Sequence, residues 1–436
     1  MRLLLTIEIS ALALFCYRLL LLVFLPIILL FAVARSFSQK AYRKRLSERL
    51  GMVPNHFQSG GIIIHCASVG EVLALKPYIQ ACIARFSDLP ITVTTFTPTG
   101  SAQVQQLFGD QVQHCYFPLD VLPCSAAFLS KLKPKVLVVM ETELWPNIVA
   151  QAAKRHCKLL LINGRLSDKS WPKYQKLAAL IKPCLANFDQ VLTQSEQYSE
   201  RFIALGANAS TCHNIGNLKY DLRQTEQALA KQAELENLID EHKQTLLLAS
   251  SHAGDEQLVI DAFKSDTLKN EHLRLIVVPR HPERFNEVAQ LIKSQGLDLA
   301  TRGNGDRVTV HTDVWLIDTL GELMSVFPLS DIVIMGGTFS HIGGHNPLEP
   351  ALFKKPIMLG SDMANFKEVQ QQLSKANAAI NLPEGIKAEV LAKEIKRLLD
   401  DKDLQERIGQ SAQAVVIQNQ GATEKALSAL AVLLRQ

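Results

Sequence analysis

Apolar side chains fill almost every position at the start of the chain. From residue 3 to residue 34 the sequence is nearly all Leu, Ile, Val, Phe and Ala, interrupted by Glu8, Arg18 and Pro26. This length is sufficient to cross the hydrocarbon core of a bilayer, although the strictly apolar part, residues 19–34, is short. The pattern therefore predicts an N-terminal membrane-anchor helix over residues 1–35.

Basic residues follow this segment much more densely than they precede it. Arg2 is the only basic residue ahead of it. By the positive-inside rule, this asymmetry leaves the chain after residue 35 in the cytoplasm. A cleaved signal peptide is a less favoured alternative, and a helix lying in the membrane interface above anionic headgroups is another. The basic residues of the flank are Arg35, Lys40, Arg43, Lys44, Arg45 and Arg49.

Further along the chain, short β-rich runs alternate with amphipathic or turn-like stretches, which is typical of βα units around parallel sheets. The pattern lapses at residues 217–243 and then resumes. We expect two doubly wound α/β domains, residues 36–216 and 244–420, joined by a linker and facing a ligand-binding crevice, with a final helix at 421–436. The expected strands are 61–66, 91–95, 135–140, 158–162, 190–193, 245–249, 274–279, 308–317, 331–335 and 356–359.

Composition supports this organisation and excludes some functions. A chain of 436 residues suits two domains rather than one core. The net charge of +4 is small for this length, and no basic run is interleaved with aromatic residues, so nucleic acid is not an expected partner. The eight cysteines are scattered, without C-x-x-C pairs or zinc-ligand spacing. We therefore expect a reducing compartment and no metal site.

A glycine-rich stretch at residues 336–351, GGTFSHIGGHNPLEPA, follows the short strand DIVIM. Its end is typical of a helix start, with Asn346 as N-cap, Pro347 at the first helical position and Glu349 at the third. Free N–H groups at such a helix start suit a phosphate or ribose hydroxyls. It is neither a P-loop nor a GxGxxG fingerprint, and an ordinary turn before a capped helix is the alternative.

Two other turns are candidates for the same binding site. In VPRHPERF, Arg280 follows a strand and has the geometry to clamp a phosphate, although a solvated strand-end arginine is the alternative. In DTLGELMSVF, Gly321 and Glu322 offer backbone and carboxylate partners, unless Glu322 is only a first-turn acid. His252, in SSHAGDE, is compatible with a metal-binding or a structural role.

The first domain carries carboxylates and cations at its expected strand ends. Glu71 lies in HCASVGEVLAL, where a strand gives way to a helix, and the helix dipole is expected to keep it ionised. Glu141 and Glu143 follow the predicted strand at residues 135–140, and Lys219 lies in GNLKYD at the end of the domain. Such groups suit polyhydroxylated or anionic ligands, while a network of ion pairs is the alternative.

In combination and in this order, these motifs resemble the lipid A-specific 3-deoxy-D-manno-octulosonic acid (Kdo) transferases of Gram-negative bacteria. The resemblance covers about residues 40–420. It rests on ASVGE, TVTTFTPTG, METELWPN, GNLKYD, VPRHPERF, GELM and GGHNPLEPA after a hydrophobic N-terminus.

The resemblance implies an α/β fold of the GT-B type with two Rossmann-like domains. It implies an inverting glycosyltransferase that moves Kdo from CMP-Kdo to a tetraacylated lipid A precursor, lipid IVA, in lipopolysaccharide core biosynthesis. The enzyme would work at the cytoplasmic face of the bacterial inner membrane, among its lipids, without metal or cofactor. The alternatives are a GT-B enzyme using another nucleotide sugar and a membrane-anchored nucleotide-binding protein without catalysis.

The resemblance also assigns site residues. Glu71 is the implied general base, and Glu141 and Lys219 are implied, more weakly, to support the transition state. Leu320 stands where the family often has Met, a change of little consequence for a contact made through the backbone. The implied contacts to CMP are Pro279, Arg280, Leu320, Gly321, Glu322, Asn346, Pro347, Leu348 and Glu349.

Overall fold

A computed structural model describes residues 11–27, 30, 45–240, 243–269 and 272–436. The chain divides into two compact units. The first extends to Asp221 and also includes Gln420–Gln436, whereas the second comprises Leu222–Asn419. Each unit is built around one parallel sheet of seven strands, as the alternating sequence pattern predicts.

The sheet of the first unit has the order β3-β2-β1-β4-β5-β6-β7, with β1 in the interior. Its strands are rich in Ile, Val and Leu because helices cover both faces of a parallel sheet. In β1, Ile62 and Ile64 pack into one buried cluster and Ile63 into the other. The strands are β1 (Ile62–His65), β2 (Ile91–Thr95), β3 (Gln113–Tyr116), β4 (Val136–Met140), β5 (Lys158–Gly164), β6 (Gln190–Thr193) and β7 (Cys212–Asn214).

The helices of the first unit follow the strands in the expected alternation. They are α1 (Leu46–Arg49), α2 (Val69–Ala74), α3 (Lys76–Arg85), α4 (Pro98–Phe108), α5 (Leu122–Leu132), α6 (Pro146–Lys154), α7 (Trp171–Lys176), α8 (Ala178–Leu185) and α9 (Glu196–Ala204). In the second unit they are α10 (Glu226–Glu236), α11 (Asp255–Phe263), α12 (Phe285–Ser294), α13 (Leu323–Val326), α14 (Leu348–Leu352), α15 (Lys367–Lys375), α16 (Ala388–Asp400) and α17 (Lys402–Asn419). The last helix of the chain, α18 (Ala422–Arg435), belongs to the first unit.

The carboxylate of Asp221 holds the start of α18. Its Oδ1 accepts a hydrogen bond from the Gly421 N–H at 2.5 Å, and its Oδ2 accepts one from the Thr423 N–H. A carboxylate at a helix N-terminus satisfies free N–H groups and interacts favourably with the helix dipole. Ala426 and Leu430 of α18 are buried in the same cluster as Ile62. The end of the chain is thus part of the first unit's core.

We expect Asp221→Ala to lower the free energy of unfolding by about 1–2 kcal/mol, because two partly buried N–H groups at the start of α18 lose their acceptor. Urea unfolding followed by circular dichroism measures this change. Glu424→Ala is the matched control, because Glu424 is an exposed first-turn acid of the same helix and its ion pair is with the exposed Arg85. Equal midpoints for the two variants would contradict the role of Asp221.

The sheet of the second unit has the order β10-β11-β9-β8-β12-β13-β14. A strand expected at residues 308–317 forms only at its end, because Thr309–Thr312 makes a turn in which Thr312 Oγ1 accepts the Thr309 N–H. The strands are β8 (Gln244–Ser251), β9 (Leu273–Pro279), β10 (Leu299–Thr301), β11 (Val314–Leu316), β12 (Ile332–Met335), β13 (Ile357–Leu359) and β14 (Ile380–Asn381).

Part of the predicted N-terminal anchor is described. Residues 11–27 are helical, and Tyr17 and Arg18 attach this helix to the first unit through hydrogen bonds to Asp120 and Asn147, each of 2.8 Å. Apolar side chains such as Phe15 are largely exposed. Within the part of the chain that the structure describes, no helix combines the length and apolar character needed to cross a membrane. The rest of the anchor, residues 1–10, 28–29 and 31–35, lies outside the described residues.

Candidate active site

Glu71 lies in the first turn of α2, directly after the central strand β1. Ser68 is the N-cap of this helix, and its Oγ accepts the Glu71 N–H at 3.4 Å. In return, the Glu71 carboxylate accepts hydrogen bonds from the Ser68 hydroxyl at 2.9 Å and from the Ala67 N–H at 2.8 Å. This reciprocal arrangement resembles a capping box and fixes the orientation of the carboxylate.

The pKa of Glu71 is raised to about 7. Burial is the main cause, and the negative charges of Glu141 and Glu143 add to it, while the hydrogen bonds from Ala67 and Ser68 oppose it. The expected effect of the helix dipole, which favours the ionised form of Glu71, is outweighed, because a partly buried carboxylate near other carboxylates binds its proton more tightly. A carboxylate with this pKa is well matched to accepting a proton near neutrality.

Glu141 and Glu143 follow β4, the neighbour of β1 in the sheet. Glu141 adopts a left-handed backbone conformation with φ of 55°, and its N–H donates to the Ile162 carbonyl at 3.0 Å. Glu143 accepts a hydrogen bond from the Trp145 indole N–H at 2.9 Å. Burial, together with the charge of Glu141, raises the pKa of Glu143. The two carboxylates that help to raise the pKa of Glu71 thus lie after β4, whereas Glu71 itself follows β1.

Lys219 lies in a short 3₁₀ turn after β7 that is held by side-chain amides. Asn217 Oδ1 accepts the Lys219 N–H, and Asn163 Oδ1 accepts the Leu218 N–H, each at 3.0 Å. Gln194 links these amides, because it donates to the Asn163 carbonyl and accepts from Asn217. Asn163 is fully buried, with φ of 55°. The sequence motifs did not indicate Asn163 and Gln194, although Asn163 is the last residue but one of β5 and Gln194 directly follows β6.

Two of the basic residues that follow the N-terminal segment contact the first unit. The Arg49 guanidinium lies 4.2 Å from the Tyr116 ring centre and donates to the Phe96 carbonyl at 2.7 Å. Arg45 pairs with the buried Glu48 at 2.7 Å. These two side chains therefore help to attach α1 to the sheet, in addition to the membrane role expected from the sequence.

In the second unit, Pro279 ends β9 and Arg280 follows it. The Arg280 N–H donates to the Ser251 carbonyl at 3.1 Å, which holds the backbone of Arg280 beside the end of β8. Its side chain is exposed, and among the described residues no hydrogen bond or ion pair of its guanidinium is found. The guanidinium is therefore available to an anionic ligand.

The segment from Leu320 to Glu322 forms the turn before α13. Leu320 is 64% exposed, and Gly321 has φ of 81°, which favours glycine. The Glu322 side chain, in contrast, is only 8% exposed and accepts hydrogen bonds from Thr319 at 2.8 Å and Arg302 at 3.1 Å. Its carboxylate lies 3.4 Å from the Lys231 ammonium group. Glu322 thus connects α10 to this turn, and a ligand meets the backbone there more readily than the carboxylate.

The prediction of Asn346 as N-cap is wrong by one residue, because α14 begins at Leu348 with Pro347 as its N-cap and Glu349 at the second helical position. Asn346 Oδ1 accepts the Leu348 N–H at 3.2 Å, and Pro347 is the flanking residue. The pKa of Glu349 is raised to about 7, because burial outweighs the nearby charge of Arg280 and a hydrogen bond from Asn346. Arg280 and Glu349 are therefore close enough to interact, as one nucleotide site requires.

Over the described ranges, no group of three or more His, Cys, Asp or Glu side chains is arranged to hold a metal ion. The absence of a metal from the reaction stays a prediction.

Known proteins are similar to this chain over most of its length. The family model described as 3-deoxy-D-manno-octulosonic-acid transferase (kdotransferase) matches residues 44–222. A 3-deoxy-D-manno-octulosonic acid transferase of Haemophilus influenzae is 36% identical, with 95% of this chain and 97% of that protein covered. The protein of the same name from Rickettsia bellii is 30% identical, covering 88% of this chain and 90% of the relative.

Solved structures support the fold. The crystal structure of a glycosyltransferase from Rickettsia africae matches with a TM-score of 0.52 and 14% identity, over 86% of this chain and 98% of that one. Together with the two parallel seven-stranded sheets, this similarity defines an α/β glycosyltransferase fold of the GT-B type, which confirms the predicted fold class. The protein is a glycosyltransferase, and the chain belongs to the family of 3-deoxy-D-manno-octulosonic acid transferases. The resemblance noted in the sequence motifs is thereby confirmed.

Proposed function

We propose that the protein transfers Kdo from CMP-Kdo to lipid IVA, a tetraacylated lipid A precursor, with inversion at the transferred carbon and without a metal ion. The observation that carries this proposal is the Glu71 carboxylate, oriented by two hydrogen bonds and with a pKa of about 7. Family membership supports the transfer of Kdo, and the residues described above support the individual steps.

On the acceptor side, Glu71 takes the proton of the attacking hydroxyl as the new glycosidic bond forms. The charge of Glu141 contributes to this step by raising the pKa of Glu71, which makes Glu71 a stronger base than an isolated glutamate. Lys219 supplies a positive charge. The hydrogen bond from its N–H to Asn217 Oδ1 fixes the position of its backbone. A cation of this kind stabilises negative charge that develops in the transition state.

On the nucleotide side, the exposed Arg280 guanidinium clamps the single phosphate of CMP. This phosphate gains negative charge as the bond to Kdo breaks, so a cation bound to it favours departure of CMP. Glu349 is placed to accept hydrogen bonds from ribose hydroxyls, and the backbone of Leu320 and Gly321 contacts the nucleotide. One phosphate can be held by these groups alone, which supports a reaction without metal.

The acceptor is a lipid, and the basic, apolar N-terminal part of the chain supports a location at the cytoplasmic face of the bacterial inner membrane. In this proposal the N-terminal helix either spans the bilayer or lies in its interface, with basic residues near anionic headgroups. The exposed apolar side chains of residues 11–27 are compatible with contact to acyl chains.

Mass spectrometry of the lipid product tests the proposal. Lipid IVA, Kdo, CTP and a CMP-Kdo-forming enzyme are incubated with the wild-type protein or with Glu71→Ala. We expect addition of Kdo by the wild type only. Product formation from UDP-sugars but not from CMP-Kdo would reject CMP-Kdo as the sugar donor. Binding of CMP by the wild type without any transfer would favour a nucleotide-binding protein that is not an enzyme.

A further inference from the structure

Two histidines of the second unit meet edge to edge beside the proposed nucleotide site. The Nε2 atoms of His252 and His345 are 2.8 Å apart, and their ring planes differ by 9° while the ring centres are 5.1 Å apart. Because the nitrogens lie closer together than stacked rings allow, the rings are nearly coplanar and share a hydrogen bond. His345 directly precedes Asn346, and His252 follows β8.

The surrounding backbone fixes this geometry. The Asp255 carboxylate accepts the His252 N–H at 2.8 Å and the Gly337 N–H at 2.7 Å, so it joins the two loops that carry the histidines. Gly337 has φ of 69°, and a Cβ atom there would lie 3.1 Å from the His345 ring and 3.3 Å from the His252 ring. Glycine at this position therefore leaves room for both rings.

Burial, aided by nearby positive charges, keeps both histidines neutral at physiological pH. Burial lowers the pKa of His345 to about 4, with His252, Arg280 and His281 contributing. Burial also lowers the pKa of His252, aided by His281, Arg284 and Arg280 and opposed by Glu256. A phosphate bound at Arg280 would counter these positive charges and make the pair a better proton acceptor.

A neutral imidazole has one N–H and one bare nitrogen. The pair therefore holds one proton between its Nε2 atoms and one on the Nδ1 atom of the accepting ring, while the other Nδ1 is bare. When the outer N–H gives up its proton, the shared proton moves across and the bare Nδ1 takes a proton from water. The hydroxide that remains is neutralised by the acceptor's proton, which Glu71 releases to the solvent. Both rings are again neutral, and one proton has passed through the pair.

We propose that His252 and His345 form a proton relay that delivers a proton from water to the phosphate of the departing CMP, an inference that rests on the sugar donor of the proposed function. As the bond between the Kdo carbon and the phosphate oxygen breaks, the electron pair stays on that oxygen and the phosphate gains one negative charge. The second pKa of a phosphate monoester is about 6, so this oxygen can accept a proton. The acceptor's proton leaves separately through Glu71.

His252→Gln, His345→Gln and the double variant test the relay. Glutamine can keep one hydrogen bond across the pair but cannot pass a proton along it. We expect each single variant and the double variant to lower kcat by a similar factor, about 10-fold to 10²-fold, with the KM for CMP-Kdo changed less than about threefold. The control is His311→Gln, since His311 is exposed and lies outside the nucleotide site.

The solvent deuterium isotope effect on kcat gives an independent measurement. A relay moves additional protons in the transition state, so the wild type should show a curved dependence of kcat on the deuterium fraction, and the variants a linear one. Unchanged kcat, or a loss confined to KM, would overturn the relay. So would activity that is lost after chelation and dialysis and restored by Zn²⁺, because the two nitrogens would then be metal ligands.

³¹P NMR of added CMP separates this inference from the function on which it rests. Failure of the wild-type protein to bind CMP or to transfer Kdo would reject the proposed function. Normal binding and transfer in the wild type, together with wild-type kinetics in all three variants, would reject the relay alone.

Discussion

Glu71→Gln is expected to lower kcat by about 10³-fold, because the amide cannot accept the proton of the attacking hydroxyl. The substitution preserves shape, and the amide oxygen can still accept the Ala67 N–H that the carboxylate accepts at 2.8 Å. Single-turnover transfer of Kdo to the lipid acceptor, followed by mass spectrometry, measures the loss. The KM for CMP-Kdo should change little, since Glu71 is not part of the proposed nucleotide site.

The pH dependence of the wild type follows from the pKa of Glu71, which burial raises to about 7. The ionised carboxylate is the active form, so kcat should fall about tenfold per pH unit below pH 7 and level off above it. Glu71→Gln should remove this dependence. A wild-type rate independent of pH between 5 and 8 would contradict the assignment of Glu71 as the base.

The thermal stability of the wild type and of Glu71→Gln is also expected to differ with pH. The folded protein binds the Glu71 proton more tightly than the unfolded chain, in which the pKa is near its ordinary value of 4.5. Stability from this carboxyl group is therefore fully present below pH 4.5 and is lost as the pH rises through about 7. Glu71→Gln should thus have a higher Tm than the wild type at pH 8 but not at pH 4. Glu196→Gln, at an exposed first-turn glutamate of α9, should change neither kcat nor Tm.

The placement of the site residues was largely predictable from local sequence. Glu71 and Arg280 each follow a buried β-run, and parallel strands bring their carboxyl ends to one edge of a sheet. Asn346 lies before a Pro-Leu-Glu sequence, which is a local helix-start signal. Such signals act over a few residues and need no knowledge of the tertiary fold.

The chemical state of these residues was not predictable, because distant residues determine it. Local sequence indicates an ionised Glu71, yet burial in the packed domain raises its pKa, and the charges of Glu141 and Glu143, which follow β4, add to this effect. Likewise, Glu322 is compatible with nucleotide binding until its pairing with Arg302 and Lys231 is seen. Charge environment is a property of the packed domain, and no periodicity in the chain encodes it.

Arg280→Gln is expected to lower kcat/KM by about 10²-fold or more with little effect on stability, because the leaving phosphate loses a charged hydrogen-bond partner. Arg280 is exposed, and its side chain makes no hydrogen bond or ion pair within the described part of the chain, so its contribution to the fold is its attraction to the nearby Glu349 carboxylate. Steady-state kinetics with varied CMP-Kdo, together with inhibition by CMP, measures the effect. The inhibition constant of CMP should rise along with the KM for CMP-Kdo.

Arg284→Gln is the matched variant, at an arginine four positions later whose guanidinium pairs with the Glu256 carboxylate at 2.7 Å. The Glu256 side chain is 1% exposed, so removal of its cation leaves a buried negative charge and should cost about 3 kcal/mol of stability. We therefore expect Arg284→Gln to unfold at lower urea concentration. Unaltered kinetics in Arg280→Gln, with loss of CMP binding in folded Arg284→Gln, would show that Arg284 rather than Arg280 holds the phosphate. The two variants thus distinguish an effect on phosphate binding from an effect on folding, because Arg284 pairs with the buried Glu256 and Arg280 does not.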